Sequence, residues 1–134
     1  MTKMIEVKPV FKGNVARSVN PAGCHQEILN QIKYVEAKGR YEGPKKVLIL
    51  GASSSYGLAT RITTAFGARA DTIGVSFERG PKDEEKLGSA GWYNNIYFRQ
   101  EAEKKGLIAK NFIGDAFSNA MKEQVIDYIK SELG

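Results

Sequence analysis

The sequence predicts an α/β fold with a parallel sheet, because short apolar segments alternate with longer segments of helical periodicity. Three apolar segments, at 46–50, 72–77 and 107–113, have the length of buried strands. Each is followed by a segment in which apolar side chains recur every three or four positions, as on one face of a helix. A chain of 134 residues suits one domain that buries a substantial core.

The N-terminal segment predicts a hairpin followed by a helix. Residues 4–12 alternate roughly between apolar and polar side chains, and KGN then provides a turn that allows the chain to return through 15–17. Asn20 is a suitable N-cap and is followed by proline, which favours the first position of a helix, so we place a helix over 21–38.

A connector rich in glycine, proline and charge, KGRYEGPKK at 38–46, separates this segment from the alternating strands and helices. We therefore divide the chain into residues 1–42, the hairpin and helix, and residues 43–134, a nucleotide-binding half-domain, which together form one compact domain. The helices predicted in the second part lie at 57–66, 92–105 and 117–133.

Composition excludes several classes of function. Residues 1–46 hold nine of the 20 basic residues and four of the 15 acidic ones, so the net charge of +5 lies there. These charges are scattered and lack interleaved aromatics, which favours a solvated surface over a nucleic-acid site. The single cysteine, Cys24, fits a reducing cytoplasm. We interpret it as a structural thiol, and the alternative is a nucleophile with the neighbouring His25 as its base. We expect no metal site and no membrane segment.

The segment VLILGASSSYGLATRI, at 47–62, has the layout of a phosphate-binding turn between a strand and a helix. Gly51 allows a sharp exit from the strand, and Gly57 allows the helix to pack close to the sheet. Three serines between them offer hydroxyl donors. Ser55 stands where such loops usually carry glycine, and a serine adopts a left-handed backbone only at a cost of about 1 kcal/mol.

Two further polar positions follow the next strands, as a Rossmann-like fold requires. Glu78 ends the second strand, where a carboxylate accepts hydrogen bonds from both ribose hydroxyls and repels a 2′-phosphate. A carboxylate at this position therefore favours NAD(H) over NADP(H). Arg79 weakens that preference, because an arginine there is able to hold the 2′-phosphate. Asp115 follows the third strand, where it is placed to accept from an adenine amino group.

With these residues in place, the chain resembles the N-terminal portion of the trans-2-enoyl-CoA (enoyl-ACP) reductases, an NADH-dependent family related to the short-chain dehydrogenases. The glycine loop and GWYNN carry the resemblance most specifically. The matching segments span nearly the whole chain: NPAGC (20–24), GPKKVLILGASSSYGLATRI (43–62), ADTIGVSFE (70–78), GSAGWYNN (88–95) and AKNFIGDAFS (109–118).

The resemblance implies NADH as cofactor and an enoyl-CoA or enoyl-ACP as substrate, with reduction of the C2=C3 bond of the thioester in fatty acid metabolism. It implies a pyrophosphate loop, a ribose pair and an adenine pair. The cofactor-binding residues predicted on this basis are Gly51, Ala52, Ser53, Ser54, Ser55, Tyr56, Phe77, Glu78, Asp115 and Ala116.

The family's catalytic tyrosine and the lysine nine positions after it have no counterpart here, since none of the six tyrosines has a lysine at that spacing. Tyr34 and Lys38 have the shorter spacing of ordinary short-chain dehydrogenases but precede the glycine loop. We interpret them as surface residues. Trp92 and Tyr93 are interpreted as packing at a helix start, with substrate contact as the alternative. We predict no catalytic residue in this chain and expect it to be inactive alone.

The predicted sheet is half of a Rossmann-like sheet, with strands in the order 3-2-1. Strand 1, at 46–50, is then left with a bare apolar edge, which favours either a fragment of a longer reductase or a homo-oligomer that closes the edge. A non-catalytic, self-assembling nucleotide-binding module is the alternative function. A nucleic-acid binder is a third hypothesis, and we expect neither a nucleic acid nor a membrane as partner.

Overall fold

The computed structural model of the chain describes residues 8–134, and it has the α/β architecture that the sequence predicts. A small hairpin precedes the first helix, and strands and helices then alternate. The strands are β1 (Phe11–Lys12), β2 (Val15–Ala16), β3 (Lys46–Leu50), β4 (Asp71–Ser76) and β5 (Ala109–Ile113). The helices are α1 (Pro21–Ala37), α2 (Ser55–Ala68), α3 (Ala90–Lys104) and α4 (Asn119–Tyr128), which continues as a π-helical turn over Ile129–Leu133.

The main sheet has three parallel strands in the order β3-β4-β5. Val47 pairs with Thr72 in the first ladder, and Thr72 pairs with Ala109 in the second. Strand 1 of the predicted sheet is β3, strand 2 is β4 and strand 3 is β5, so the predicted order 3-2-1 is confirmed. Because all three strands run the same way, their carboxyl ends meet at one edge of the sheet, where loops bring ligand-binding groups together.

Local signals account for the ends of several elements. The Asn20 side chain accepts a hydrogen bond from the backbone N–H of Gly23 (3.1 Å), which caps α1 as predicted. Ser118 caps α4 in the same way, so that helix begins at Asn119, two residues after the predicted start. Helix α2 begins at Ser55, two residues before the predicted start at Gly57.

Residues 4–7 of the predicted first strand lie outside the described residues. The described part of that segment forms β1 over Phe11–Lys12, which pairs antiparallel with β2. The predicted hairpin is therefore confirmed for its described part.

The core lies between the sheet and helices α1, α2 and α3. An edge-to-face pair of Phe66 and Phe98, with ring centroids 5.8 Å apart, joins α2 to α3 inside it. The predicted apolar face of α2 is confirmed by the burial of Leu58, Ile62 and Phe66. Other buried members of this core are Ile28, Ile32, Ala65, Ala102, Leu107 and Ala109.

A fully buried arginine, Arg61, ties α2 to the sheet. Its guanidinium donates to the Thr72 hydroxyl (2.9 Å), to the carbonyl oxygen of Lys110 (3.1 Å) and to the Asn111 side chain. The Phe98 ring lies 4.3 Å from the guanidinium carbon. Burial lowers the pKa of Arg61 to about 9, which leaves it charged at neutral pH.

The outer edge of β3 has no partner strand among residues 8–134. Leu48 is 44% exposed and Leu50 63% exposed, whereas Ile49 between them is buried. The bare apolar edge predicted for this strand is thus a feature of the structure. None of the helices over 8–134 is long and apolar enough to cross a membrane.

Candidate functional site

The carboxyl ends of β3, β4 and β5 bring the three predicted nucleotide-binding segments to one edge of the sheet. The backbone N–H groups of Gly51 and Ala52 both donate to the Val75 carbonyl oxygen, at 2.8 and 3.3 Å. The N–H of Gly114 donates to the Ser76 carbonyl oxygen at 2.9 Å. These bonds continue the ladders past the strand ends, so the loops that follow the three strands are neighbours.

The loop after β3 uses two left-handed residues to turn from the strand into α2. Gly51 has φ of +79° and Ser55 has φ of +50°. The strain expected at Ser55 is therefore present, because a side chain at positive φ costs on the order of 1 kcal/mol. A Cβ atom at Gly57 would lie 1.8 Å from the Gly51 carbonyl oxygen, so only glycine allows the helix to approach the loop this closely.

The N-terminus of α2 is suited to an anion. Its N-cap residue, Ser54, makes no side-chain capping bond, and the first turn contains no acidic residue. No side chain of the helix therefore accepts a hydrogen bond from the amides of this turn, and none offsets the positive end of the helix dipole. The same region carries Ser54, Ser55 and Tyr56 on the surface, with Tyr56 88% exposed. A pyrophosphate fits this donor set.

The Glu78 carboxylate is held by hydroxyl groups from two other segments. Ser53 donates to one carboxylate oxygen and Ser89 donates to the other. The carboxylate also lies against the first turn of α3, since a Cβ atom at Gly91 would be 2.0 Å from Glu78 Oε1. The side chain is therefore fixed in position beside the N-terminus of α3.

The start of α3 supports the phosphate loop directly. The Asn94 side-chain amide donates to the Ser53 carbonyl oxygen at 2.9 Å. The Tyr93 hydroxyl accepts from the Gly88 N–H at 3.0 Å, and the Trp92 ring packs against Gly80. The predicted role of the two aromatics in packing at a helix start agrees with these contacts.

Sequence reasoning missed Ser89, Gly91 and Asn94. All three lie in the segment GSAGWYNN, whose sequence identifies the helix start. Nothing in their spacing indicates a contact with Ser53 or Glu78, because those residues follow other strands. The available signal was Ser89, because serine favours the N-cap position of a helix and Gly91 follows two residues later.

The segment after β5 forms a tight turn around Asp115. Its side chain accepts from the Phe117 N–H at 2.9 Å, and its carbonyl oxygen accepts from the Ser118 hydroxyl at 2.8 Å. Asp115 is exposed and Ala116 half-buried. Two aromatics near this edge, Phe77 and Phe117, are 82% and 88% exposed, so packing within residues 8–134 does not account for them.

Other candidate residues lie away from this edge. Cys24 is half-buried in α1, and burial raises the pKa of its thiol, which disfavours a nucleophilic role. Tyr34 is 65% exposed, and the Lys38 amine lies 5.2 Å from its ring centroid. The interpretation of Tyr34 and Lys38 as surface residues agrees with these positions. Residues 8–134 contain no group of three side chains able to hold a metal ion.

Comparisons with known proteins agree with this arrangement. Residues 6–83 match the family of the NAD(P)H binding domain of trans-2-enoyl-CoA reductase, and residues 86–134 match the trans-2-enoyl-CoA reductase catalytic region. An enoyl-[acyl-carrier-protein] reductase [NADH] of Photobacterium profundum is 64% identical over 130 residues, which are 96% of this chain and 32% of that protein. A trans-2-enoyl-CoA reductase [NADH] of Clostridium beijerinckii is 61% identical over 128 residues, 95% of this chain and 32% of that protein.

Solved structures give the same result. The Clostridium acetobutylicum trans-2-enoyl-CoA reductase in complex with NADH matches with a TM-score of 0.90 and 56% identity, covering 97% of this chain and 33% of that one. The Treponema denticola enzyme in complex with NAD matches with a TM-score of 0.86 and 44% identity, covering 96% of this chain and 33% of that one. The chain spans about a third of the length of these relatives and belongs to the trans-2-enoyl-CoA reductase family.

Proposed function

We propose that this chain is the NADH-binding part of a reductase that reduces the C2=C3 bond of enoyl-CoA or enoyl-ACP thioesters. The observation that carries the proposal is the loop from Gly51 to Ser55, in which two left-handed residues turn the chain into an uncapped, acid-free helix N-terminus. Such a terminus binds phosphate through backbone amides and the helix dipole. The solved relatives in complex with NADH and NAD support the same ligand.

The residues of this chain would hold the adenosine half of the cofactor. The loop from Gly51 to Tyr56 binds the pyrophosphate, and Glu78, beside Phe77, accepts hydrogen bonds from the ribose hydroxyls. Asp115 accepts from the adenine amino group, and Ala116 beside it completes the adenine pair. Glu78 is suited to its role because the two serine hydroxyls already fix both of its oxygens.

NADH when bound supplies a hydride. A proton donor is also needed, and no tyrosine of this chain has a lysine nine positions later. We therefore place the acid and its cationic partner in the two thirds of the relatives' length that this chain does not match. The chain alone with NADH and a short enoyl-CoA is expected to leave the absorbance of NADH at 340 nm unchanged.

Calorimetric titration with NADH tests the binding proposal. We expect saturable binding, which Asp115→Ala weakens about fivefold through the loss of one hydrogen bond. Asp127→Ala, which removes an exposed carboxylate of α4, is the matched control and should bind NADH as the parent chain does. The absence of saturable heat from a folded parent chain, or equal losses in the two variants, would contradict the proposal.

The open edge of β3 favours a second candidate function, that of a self-assembling module. Leu48 and Leu50 line an apolar cavity of about 220 Å³ together with Met121, Val125 and Ile126 of α4. Two copies that paired through β3 would form a continuous sheet and cover these side chains. Sedimentation at rising concentration should then detect a dimer that Leu50→Lys abolishes. A monomer at all concentrations would remove this candidate.

A further inference from the structure

A polar cavity of about 520 Å³ lies between the hairpin and the start of α3, and two arginines line it from different segments. Arg17 follows β2, whereas Arg79 lies in the loop after β4. The remaining lining residues are Ala16, Ser18, Val19, Ser89 and Ala90, so the lining contains no acidic residue. Neither arginine forms an ion pair with any residue over 8–134. Two positive charges therefore face one space that has no carboxylate in its lining.

The backbone at each arginine is held by hydrogen bonds. The Arg79 N–H donates to the Ser89 hydroxyl at 3.1 Å, and the Arg79 carbonyl oxygen accepts from the Ser89 N–H at 2.8 Å. On the other side, the Arg17 N–H donates to the Val10 carbonyl oxygen, and the Val10 N–H donates to the Ser18 hydroxyl at 3.1 Å. Both side chains therefore start from defined positions, which lowers the entropic cost of bringing two guanidinium groups to one ligand.

The lining of the cavity is suited to a phosphate monoester. A guanidinium presents several N–H donors in a plane and binds phosphate oxygens in pairs. The Ser18 hydroxyl accepts from Val10 and so keeps its own hydrogen to donate. The volume lies within the range of small-molecule sites, about 300–1,000 Å³, so the cavity has room for part of a nucleotide in addition to its phosphate.

Ser89 separates this cavity from the Glu78 carboxylate. The Ser89 hydroxyl donates to Glu78, which binds the ribose of NADH in the proposed function. Glu78 itself is not among the lining residues, and the two arginines outweigh its single negative charge. A ligand in the cavity would therefore lie beside the adenosine end of bound NADH and not in its place.

We infer that this cavity binds the 3′-phosphate of the coenzyme A that carries the enoyl substrate, through Arg17 and Arg79. The inference rests on the proposed function, because that reaction requires an enoyl thioester to meet NADH. Coenzyme A and NADH both extend from an adenosine diphosphate toward their reacting ends. Two such molecules that lie side by side, with their adenosines at one end, bring the thioester and the nicotinamide toward the same place.

Calorimetry on the chain saturated with NADH tests this site, with coenzyme A and 3′-dephospho-coenzyme A as the two ligands. Saturation with NADH keeps the adenosine of either ligand out of the cofactor site. We expect coenzyme A to bind at least about tenfold more tightly than its 3′-dephospho form, as charge-assisted hydrogen bonds to one phosphate predict. Equal affinities for the two ligands, or no binding of coenzyme A, would overturn the inference.

Substitution of the arginines tests whether the cavity is the source of that difference. Arg17→Gln and Arg79→Gln should each lower the affinity for coenzyme A at least about threefold, and the double variant should bind both ligands equally. Arg17→Lys should retain part of the difference, because it keeps the charge. Arg99→Gln removes an exposed arginine of α3 and is the matched control, which should behave as the parent chain does. A preference for coenzyme A that survives in the double variant would overturn the assignment to this cavity.

A third ligand, 4′-phosphopantetheine, separates coenzyme A from an acyl carrier protein as the source of the phosphate. It carries the phosphate that the two carriers share and lacks the 3′-phosphate, so the parent chain and the double variant should bind it equally. A loss in the double variant as large as that for coenzyme A would overturn the choice of the 3′-phosphate. Failure of the parent chain to bind NADH would overturn the proposed function, whereas NADH binding with equal affinities for coenzyme A and its 3′-dephospho form would overturn this inference alone.

Discussion

The close approach of α2 to the phosphate loop can be tested by adding one methyl group at Gly57. The new Cβ atom would lie 1.8 Å from the Gly51 carbonyl oxygen and 3.2 Å from the Ala52 Cα, and real Cβ atoms essentially never come within 3.0 Å of other atoms. The helix and the loop must therefore separate by at least 1.2 Å, the difference between 3.0 and 1.8 Å. Both sides of this contact are backbone, so no side chain can move to relieve it.

Overpacking of this kind costs about 3 kcal/mol, at the upper end of the usual range, because backbone has to shift. Alanine recovers about 1 kcal/mol through its higher helix propensity. We therefore expect Gly57→Ala to lower the free energy of unfolding by about 2 kcal/mol, and the melting temperature by about 8 °C. NADH binding should be lost as well, since the loop moves with the helix.

Gly67→Ala is the matched control, because it makes the same change in the same helix. The atoms nearest to its Cβ belong to the Tyr41 ring, at 2.5 and 3.0 Å, and this ring is 42% exposed and able to move into solvent. The propensity gain should then offset the lost contact, leaving stability within about 1 kcal/mol of the parent. Urea denaturation followed by circular dichroism measures both variants. Equal stability of Gly57→Ala and the parent chain would refute the reasoning.

Three further substitutions test other parts of the structure. Ser55→Gly should raise the free energy of unfolding by about 0.5 kcal/mol, because the backbone strain of a left-handed serine exceeds the entropic cost of glycine. A lower stability in urea denaturation would contradict this. NADH affinity should change by less than about threefold, because the loop already has this conformation without the cofactor. Arg61→Met removes the donor of three hydrogen bonds and should cost about 3 kcal/mol by the same assay, so a stability equal to the parent would exclude a structural role for these bonds. A hydrogen bond from Lys104 holds the pKa of Glu101 below its ordinary value of 4.5. The Glu101 carboxylate therefore stabilises the fold above that pH, and this contribution disappears as the pH falls through the lowered pKa. Glu101→Gln should therefore be less stable than the parent by up to about 0.5 kcal/mol at pH ~7 and equal to it at pH ~2, and a difference that persists in acid would contradict this sign.

Most of the fold could be predicted from local patterns. The periodicity of apolar residues located the three strands of the sheet and the four helices, with differences of one or two residues at most of their ends. The end of α2 illustrates why boundaries are harder. Arg69 ends the helix in a left-handed conformation that usually requires glycine, so sequence reasoning found no stop signal there.

The loop that follows β3 was the most predictable part of the candidate site. Glycine and serine between a strand and a helix indicate a tight turn by residue type alone, and the positive φ of Ser55 was expected from its place in that turn. The fixing of Glu78 was not predictable. Ser53 and Ser89 are 25 and 11 residues away from it in sequence. The parallel pairing of β3 with β4 brings Ser53 beside Glu78, whereas the position of α3 brings Ser89 there.

The sequence by itself determined the order of strands and helices, the turn glycines and the family, because each depends on residue type and spacing along a continuous segment. Tertiary structure alone decided that Arg61 is buried without an acidic partner among residues 8–134, and that Arg17 and Arg79 face one cavity. It also decided that hydroxyl groups of Ser53 and Ser89 bond the two carboxylate oxygens of Glu78. The physical reason is that local periodicity specifies which face of an element is buried, whereas contacts between distant segments depend on how those faces pack together.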